Sequence, residues 1–333
     1  MSLVETAASM NSAFDSIPIV NIGCASTPEE RATLARQIRD ACVKVGFFYI
    51  SDHGIPQETI DAVFSAMKAY FSLPLETKMK LYHREGANYR GYAPLSDANF
   101  SAESRGDMFE GFVIGWEEPV PKEDDDKKVD TTAVPNLWPS EPAGFREAFL
   151  NYYHATVGLR NTLFCLFALA LDLPETYFGD IHRNLPTMRS HYYPPQTGPE
   201  EDYIMGINAH SDFECFTILW QEPGIQALQV LNSDKQWINA PPIPGTLVIN
   251  IGDLLARWTN DVFKSTVHRV INKSSVPRYS IATFVGVDYH VEVKPLPSCV
   301  SPESPPKYEP IFAGDHVRKR LGETYHRNAT LAK

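Results

Sequence analysis

The second half of the chain consists of short apolar segments separated by turn residues. From residue 188 onward, stretches rich in β-branched and aromatic side chains alternate with Pro, Gly and Asn turns. We predict strands over residues 188–193, 217–220, 227–230, 246–251 and 279–287. Several short strands at this spacing indicate a sandwich or a barrel, and the double-sheet jelly roll is one such architecture.

The first half contains clear helix signals. Thr27, Pro28 and Glu30 combine a capping box with a proline at the first helical position, and apolar residues then recur at helical spacing until Gly46. A buried strand over residues 47–50 and a second amphipathic helix follow, and a long apolar helix is predicted from about residue 144 to 171.

Composition limits the classes of partner. The net charge of −11 and the pI of about 5.4 would repel a phosphate backbone, so we expect no nucleic-acid binding. No apolar run has the length of a membrane span, and the first sixteen residues lack the Lys and Arg of a targeting peptide. Five scattered cysteines fit a reducing compartment, and we expect a cytoplasmic protein without a membrane partner.

Two imidazoles and one carboxylate form the first candidate site. His210 and Asp212 are two residues apart, so on a strand they would share one face, and His268 would have to come from a neighbouring strand. Two His and one carboxylate suit a divalent transition metal, and with open positions they suit non-haem Fe(II) oxygenases. Such a spacing also arises by chance, because a distant His is commonly a surface or core residue.

A second polar pair follows a few residues downstream. Arg278 and Ser280 would share a strand face and present a guanidinium together with a hydroxyl. This pair suits a carboxylate, because Arg offers a bidentate charged fork and Ser adds a donor. The alternative is an Arg in a surface ion pair of little energetic consequence.

These features occur within a longer series of motifs. In chain order the motifs are residues 17–20 (IPIV), 45–50 (VGFFYI), 52–56 (DHGIP), 90–92 (RGY), 192–195 (YYPP), 210–212 (HSD), 241–253 (PPIPGTLVINIGD), 256–261 (ARWTND), 264–270 (KSTVHRV) and 278–280 (RYS). The series covers most of the chain, and it resembles the Fe(II)- and 2-oxoglutarate-dependent dioxygenases of the isopenicillin N synthase-like class. The resemblance implies an α+β fold with a double-stranded β-helix, or jelly-roll, core flanked by helices.

The resemblance also implies a division of the chain. Residues 1–120 would form the N-terminal α/β region, and residues 121–180 would hold an acidic loop and a long supporting helix. Residues 181–333 would form the jelly-roll catalytic region for Fe(II) and 2-oxoglutarate, and the three parts would make one compact unit. The charged, proline-flanked segment 117–130 is expected to be an exposed loop.

The functional residues implied by the resemblance form two groups. Three side chains would bind Fe(II): His210, Asp212 and His268. Three others would hold 2-oxoglutarate: Arg278, Ser280 and Tyr193. The 2-oxoglutarate would chelate the iron and leave one position for the co-substrate O₂. The enzyme would oxidise a small organic metabolite by hydroxylation, desaturation or rearrangement such as ring expansion, in specialised-metabolite biosynthesis.

Two residues of one predicted strand bear on the substrate. Arg189 and His191 alternate with Tyr193 and would point to the same side. His191 stands where many relatives have Asn, so it would hydrogen-bond the co-substrate, contact the substrate, or orient a neighbouring side chain. Arg189 would bind a carboxylate, carbonyl or phenolate oxygen of the substrate, unless it forms an internal ion pair with Glu214 or Asp107.

Two aromatic residues are further candidates for the substrate cavity. Phe284 would share the strand face of Arg278, and Phe213 follows Asp212 directly. Either ring could equally belong to the core. Glu214 stands where relatives often have a small residue, which indicates an altered rim without assigning it a role.

Two other functions remain open from the sequence. An oxidase of the isopenicillin N synthase type would need no 2-oxoglutarate, and a non-catalytic jelly roll would only bind a ligand. A protein that only binds a ligand does not need three metal-binding residues that leave coordination positions of the metal open. This argues against the non-catalytic alternative. The oligomeric state is not readable from the sequence.

Overall fold

A computed structural model describes residues 3, 13–23, 27–83, 89–97, 107–117, 135–179, 186–197, 199 and 203–325. Most of the predicted acidic loop lies outside these residues. The strands are β1 (Ile19–Asn21), β2 (Phe47–Ser51), β3 (Gly91–Ala93), β4 (Glu110–Ile114), β5 (Thr187–Tyr193), β6 (Ile207–His210), β7 (Phe216–Gln221), β8 (Leu228–Leu231), β9 (Trp237–Asn239), β10 (Thr246–Ile251), β11 (His268–Val270), β12 (Arg278–Val285), β13 (Glu292–Val293) and β14 (Ile311–Phe312). The helices are α1 (Pro28–Lys44), α2 (Gln57–Phe71), α3 (Leu75–Met79), α4 (Phe145–Ala170), α5 (Asp253–Trp258) and α6 (Ala313–Tyr325), with a 3₁₀ turn at Pro297–Cys299.

Two facing sheets form the expected jelly roll. The main sheet has eight strands in the order β1-β2-β10-β7-β12-β5-β4-β3, and the smaller sheet has the order β6-β11-β8-β9. Helices α1, α2 and α4 pack together on the outer side of the main sheet. The fold is therefore α+β, with a jelly-roll core flanked by helices.

Local signals determine where the first elements begin and end. The Thr27 hydroxyl accepts a hydrogen bond from the Glu30 amide at 3.2 Å, and the Glu30 carboxylate accepts one from the Thr27 amide at 2.9 Å. This predicted capping box is confirmed, and it satisfies amide groups that the first helical turn leaves unpaired. Helix α1 ends before Gly46, whose φ of 74° favours glycine, and a Cβ at this position would lie 2.1 Å from the Lys264 carbonyl oxygen.

The two faces of the main sheet have different roles. On β12, Ile281 and Val285 point into the apolar core that includes α4, where Phe164 and Phe167 are fully or almost fully buried. The alternate residues of β12 therefore point toward the smaller sheet. We call the first side the helix face and the second side the inner face.

An apolar cluster also fills part of the space between the sheets. Phe47, Tyr49 and Val248 of the main sheet pack in one cluster with Val230 and Val270 of the smaller sheet. This cluster holds the two sheets together and leaves polar positions at other points of the inner face. The cluster also includes Tyr193, and its Phe47 ring lies 5.1 Å from the His268 ring, so it packs directly against the polar positions of the inner face.

Three strands that the sequence did not predict complete the smaller sheet. They are β6, β9 and β11, each three or four residues long. Among the described residues, no helix combines the length and the apolar character that crossing a bilayer would require.

Candidate metal centre

Two imidazoles and a carboxylate meet between the sheets. One ligand atom from each of His210, Asp212 and His268 lies within 4.8 Å of the others. The antiparallel pairing of β6 with β11 places His268 directly opposite His210, and their ring centroids are 4.3 Å apart. The structure thus brings His268 to the pair His210 and Asp212, from which it is distant in the sequence.

The position of Asp212 differs from the simple strand argument. Strand β6 ends at His210, so Asp212 lies beyond it rather than on the same strand face. Its backbone carbonyl accepts a hydrogen bond from the Asp253 amide at 2.8 Å, which fixes the chain as it turns toward β7. The prediction of a shared strand face is therefore wrong, although the turn brings the carboxylate to the two imidazoles.

The backbone sets the tautomer of both imidazoles. His210 Nδ1 lies 2.7 Å from the Asn208 carbonyl oxygen, and His268 Nδ1 lies 3.1 Å from the Thr266 carbonyl oxygen. Because a carbonyl only accepts, each Nδ1 must carry the proton and donate it. Each Nε2 then presents a lone pair toward Asp212 Oδ1, at 3.6 Å for His210 and 3.8 Å for His268.

Neighbouring groups also shift the pKa values of the three candidate metal ligands. Burial and the adjacent His210 lower the pKa of His268 to about 4, so this imidazole is neutral at pH 7. Burial alone would raise the pKa of Asp212, but His210, His268 and the Thr217 hydroxyl hold it below its usual range. Burial would lower the pKa of His210, but the Asp212 carboxylate raises it, so a metal competes with a proton for this ring. Metal binding requires neutral imidazoles and an ionised carboxylate.

Two side chains that sequence reasoning missed hold the far oxygen of the carboxylate. Asp212 Oδ2 accepts hydrogen bonds from Thr217 Oγ1 at 2.5 Å and from Asn250 Nδ2 at 2.7 Å. These bonds orient the carboxylate so that Oδ1 faces the two imidazoles. The available signal was a polar residue between two apolar neighbours in each strand, Thr217 in β7 and Asn250 in β10. The donor set fits a divalent transition metal such as Fe(II), with ligands on one side only.

A buried cation lies further along the inner face. Arg278 is fully buried, and its Cζ lies 4.9 Å from the centre of the Tyr193 ring, on the residue directly opposite in β5. Its Nη2 donates to Gln221 Oε1 at 3.1 Å, whereas Nε and Nη1 have no hydrogen-bond partner among the described residues. Ser280 is buried on the same face. A buried guanidinium with free donors fits the carboxylate of a bound ligand.

The predicted alternation along β5 is also present. Register pairs Tyr193 with Arg278, His191 with Ser280, and Arg189 with Ala282. The His191 ring stacks with Tyr193 at a centroid distance of 5.8 Å, and its buried Nδ1 has no hydrogen-bond partner among the described residues. Burial, followed by the charges of Arg189 and Arg278, lowers the pKa of His191 well below its usual value, so its ring is neutral.

Within the described ranges, Arg189 does not pair with Glu214, one of the two carboxylates that were considered for it from the sequence. Its Cζ lies 6.0 Å from the centre of the Phe109 ring, and it forms no ion pair with Glu214 among the described residues. Asp107 accepts hydrogen bonds from the amide and side chain of Asn208, at 2.9 and 2.6 Å. Burial raises the pKa of Glu214 to about 7, because its carboxyl lacks a compensating partner.

The two candidate aromatic residues lie in different places. Phe284 is partly buried on the inner face of β12, in line with Arg278. The Phe213 ring lies 4.8 Å from Arg320 Cζ of α6, and its carbonyl oxygen is 3.1 Å from His316 Nε2. Phe213 therefore connects the metal-binding turn to α6, and its place in a substrate cavity stays a prediction.

Two family models match the chain. One, described as "non-haem dioxygenase in morphine synthesis N-terminal", matches residues 17–141. The other, described as "2OG-Fe(II) oxygenase superfamily", matches residues 185–287. The second range contains all three proposed metal ligands and Arg278.

Individual proteins are similar over nearly the whole chain. The 2-oxoglutarate-Fe(II) type oxidoreductase hxnY of Emericella nidulans is 37% identical, covering 91% of this chain and 88% of the relative. Azadirone synthase LFS of Melia azedarach is 33% identical, and the match covers 92% of this chain and 93% of the relative. A full-length Neurospora crassa protein, solved in complex with alpha-KG, superposes with a TM-score of 0.79 at 28% identity, covering 92% and 96%. A further structure of the same Neurospora crassa protein, which also contains thymine, superposes with a TM-score of 0.78 at 26% identity, again covering 92% and 96%.

Proposed function

The chain belongs to the 2OG-Fe(II) oxygenase superfamily, and we propose that it oxidises a small organic metabolite on the inner face of its jelly roll. The protein is an Fe(II)- and 2-oxoglutarate-dependent dioxygenase. When bound, Fe(II) and O₂ supply the oxidising chemistry, and 2-oxoglutarate is converted to succinate and CO₂. The residue assignments that follow are part of the proposal.

His210, Asp212 and His268 hold the Fe(II). The observation that carries this assignment is that both Nε2 atoms and Asp212 Oδ1 lie close together between the sheets, with one ligand atom of each residue within 4.8 Å of the others. Each Nδ1–H is engaged by a backbone carbonyl, and Asp212 Oδ2 is engaged by Thr217 and Asn250. The ligands are therefore oriented before the metal arrives, so little reorganisation accompanies binding.

Arg278, Ser280 and Tyr193 hold 2-oxoglutarate. The two unpaired donors of Arg278 face a carboxylate, and the hydroxyls of Ser280 and Tyr193 add further donors. Burial of all three residues excludes water, which strengthens these contacts and protects the reaction from solvent. Neutral His191 lies between this group and Arg189, where its free Nδ1 can contact the co-substrate or the substrate.

The substrate occupies the part of the inner face beside Arg189 and Phe284. Arg189 donates to an oxygen of the substrate, and Phe284 contributes ring surface. One relative is named as a synthase of azadirone, and one structural neighbour contains thymine, so both names concern small organic molecules. The similarity to the azadirone synthase supports a role in specialised-metabolite biosynthesis.

Anaerobic addition of Fe(II) and 2-oxoglutarate tests the proposed site. The wild-type protein should develop the visible charge-transfer absorption of the chelate, and Ala variants of His210, Asp212 or His268 should each lose it. His290→Ala is the matched control, because this exposed His lies outside the site. Retention of the absorption in all three variants would refute the metal assignment.

Turnover distinguishes the two alternatives. An oxidase of the isopenicillin N synthase type would consume O₂ with its substrate and release no succinate. A non-catalytic binding protein would bind ligands without consuming O₂. No feature of the described residues favours either, and the free donors of buried Arg278 suit a second carboxylate-bearing ligand.

A further inference from the structure

An unassigned carboxyl group lies on the inner face at the end of β12. Val285 and Val287 both belong to the core on the helix face, so Gly286 between them faces inward. A Cβ built on Gly286 would lie only 1.9 Å from Glu214 Oε2. The carboxyl group therefore occupies the space that this glycine leaves open, on the same face as Phe284.

One oxygen of this carboxyl group has no interaction partner in the described part of the protein. Glu214 Oε2 is buried, and it has neither a hydrogen-bond donor nor a cationic partner among the described residues. Its main chain is fixed, because its carbonyl oxygen accepts from the Leu254 amide at 3.3 Å. A buried carboxyl without a donor is unfavourable, and such a group in a native structure requires an explanation. A ligand that brings the donor would provide one.

The register of the strands relates this acid to the proposed substrate position. Arg189 stands opposite Ala282, and Gly286 is four residues further along the same inner row, past Phe284. Four residues of extended chain span about 13 Å, which is a distance that a small molecule and two long side chains can bridge. The proposed cavity thus carries a cation on one side and an acid on the other, with an aromatic ring between them.

We propose that Glu214 is a specificity residue that binds an ammonium group of the substrate. Such a group supplies both the hydrogen-bond donor that Oε2 lacks and the missing positive charge. Arg189 then binds an oxygen acceptor on the same molecule, so the substrate class is a small, nitrogen-containing compound with a carbonyl or carboxylate. The inference rests on the proposed function and defines its substrate class.

Paired probes test this inference without knowledge of the substrate. Benzylammonium and its neutral counterpart benzyl alcohol are titrated anaerobically into the protein loaded with Fe(II) and 2-oxoglutarate, and ligand-dependent stabilisation is followed through Tm. The wild type should bind benzylammonium at least about tenfold more tightly than the alcohol, because either probe can donate a hydrogen bond to the carboxylate but only the ammonium adds an opposite charge.

Two variants then assign the preference to Glu214. Glu214→Gln keeps the shape and removes the charge, and Gly286→Ala displaces the carboxyl while leaving Glu214 in place. Both should bring the two affinities close together. Glu292→Gln, on the exposed side of β13, makes the same change in net charge and should keep the wild-type preference.

The outcomes separate this inference from the proposed function. If the charge-transfer absorption is absent from the wild type, the proposed function fails. If it is present and the wild type does not prefer benzylammonium, or does not bind it, the role of Glu214 is refuted. A preference that persists in both Glu214→Gln and Gly286→Ala refutes it as well.

Discussion

Thr217→Val should weaken Fe(II) binding although residue 217 is not expected to touch the metal. The Thr217 hydroxyl donates to Asp212 Oδ2 at 2.5 Å, and Val preserves the branched shape of the side chain while removing this donor. A hydrogen bond to a charged group contributes about 1.5–3 kcal/mol, and each 1.4 kcal/mol is a factor of ten in affinity. Asn250 still donates to the same oxygen at 2.7 Å, so we expect the lower end of this range, an increase in Kd of about tenfold.

The assay is an anaerobic Fe(II) titration at saturating 2-oxoglutarate, followed by the charge-transfer absorption. The matched control is Thr283→Val, because Thr283 is also buried in the main sheet but its hydroxyl lies 3.4 Å from Thr156 Oγ1 on the helix face. An unchanged Kd in Thr217→Val would refute the reasoning. An equal loss of affinity in both variants would do so too, because the effect would then reflect general destabilisation.

Three further predictions concern other parts of the molecule. Arg278→Leu should raise the Kd for 2-oxoglutarate by at least about tenfold while Fe(II) binding persists, and calorimetry that shows equal affinities would contradict this. Arg189→Met should raise the substrate KM in succinate-release assays and leave 2-oxoglutarate affinity intact; unchanged kinetics with the true substrate would remove Arg189 from the cavity. Gly46→Ala should destabilise the fold by about 1–3 kcal/mol, because φ is 74° and the new Cβ would approach the Lys264 carbonyl oxygen to 2.1 Å. An unchanged urea midpoint would contradict that expectation.

Local sequence signals were sufficient to predict the ends of helices where a particular residue type determines the backbone conformation. The capping box at Thr27 and the left-handed Gly46 marked the two ends of α1 correctly, and the long apolar helix was predicted to within a residue at each end of Phe145–Ala170. Such signals work because the hydrogen bonds and φ angles involved lie within a few residues of one another.

The short strands of the smaller sheet could not be found in this way. Ile207–His210 and His268–Val270 contain too few residues for a periodic pattern, and each exists because it pairs with the other. Without their bounds, the sequence argument placed Asp212 on a strand, whereas it lies in the turn that follows. Pairing between distant segments is a tertiary property, so it is only weakly encoded in either segment alone.

The candidate site shows the same limit. His210, Asp212 and His268 were noticed because two imidazoles and a carboxylate suit a transition metal, and Arg278 because a guanidinium beside a hydroxyl suits a carboxylate. Thr217 and Asn250 were missed because Thr and Asn become informative only when the fold places them beside a buried carboxylate. The chemical type of a residue thus indicates the ligands, while their supporting contacts require the structure.

Alternate residues of strand β12 have different roles. Ile281 and Val285 hold the main sheet against α4, while Arg278, Ser280 and Phe284 lie on the inner face. If Arg278 and Ser280 keep the co-substrate, evolution can exchange the other inner-face side chains for a new substrate while the intervening ones keep the protein folded. One iron-containing scaffold could diversify its chemistry in this way without rebuilding its interior.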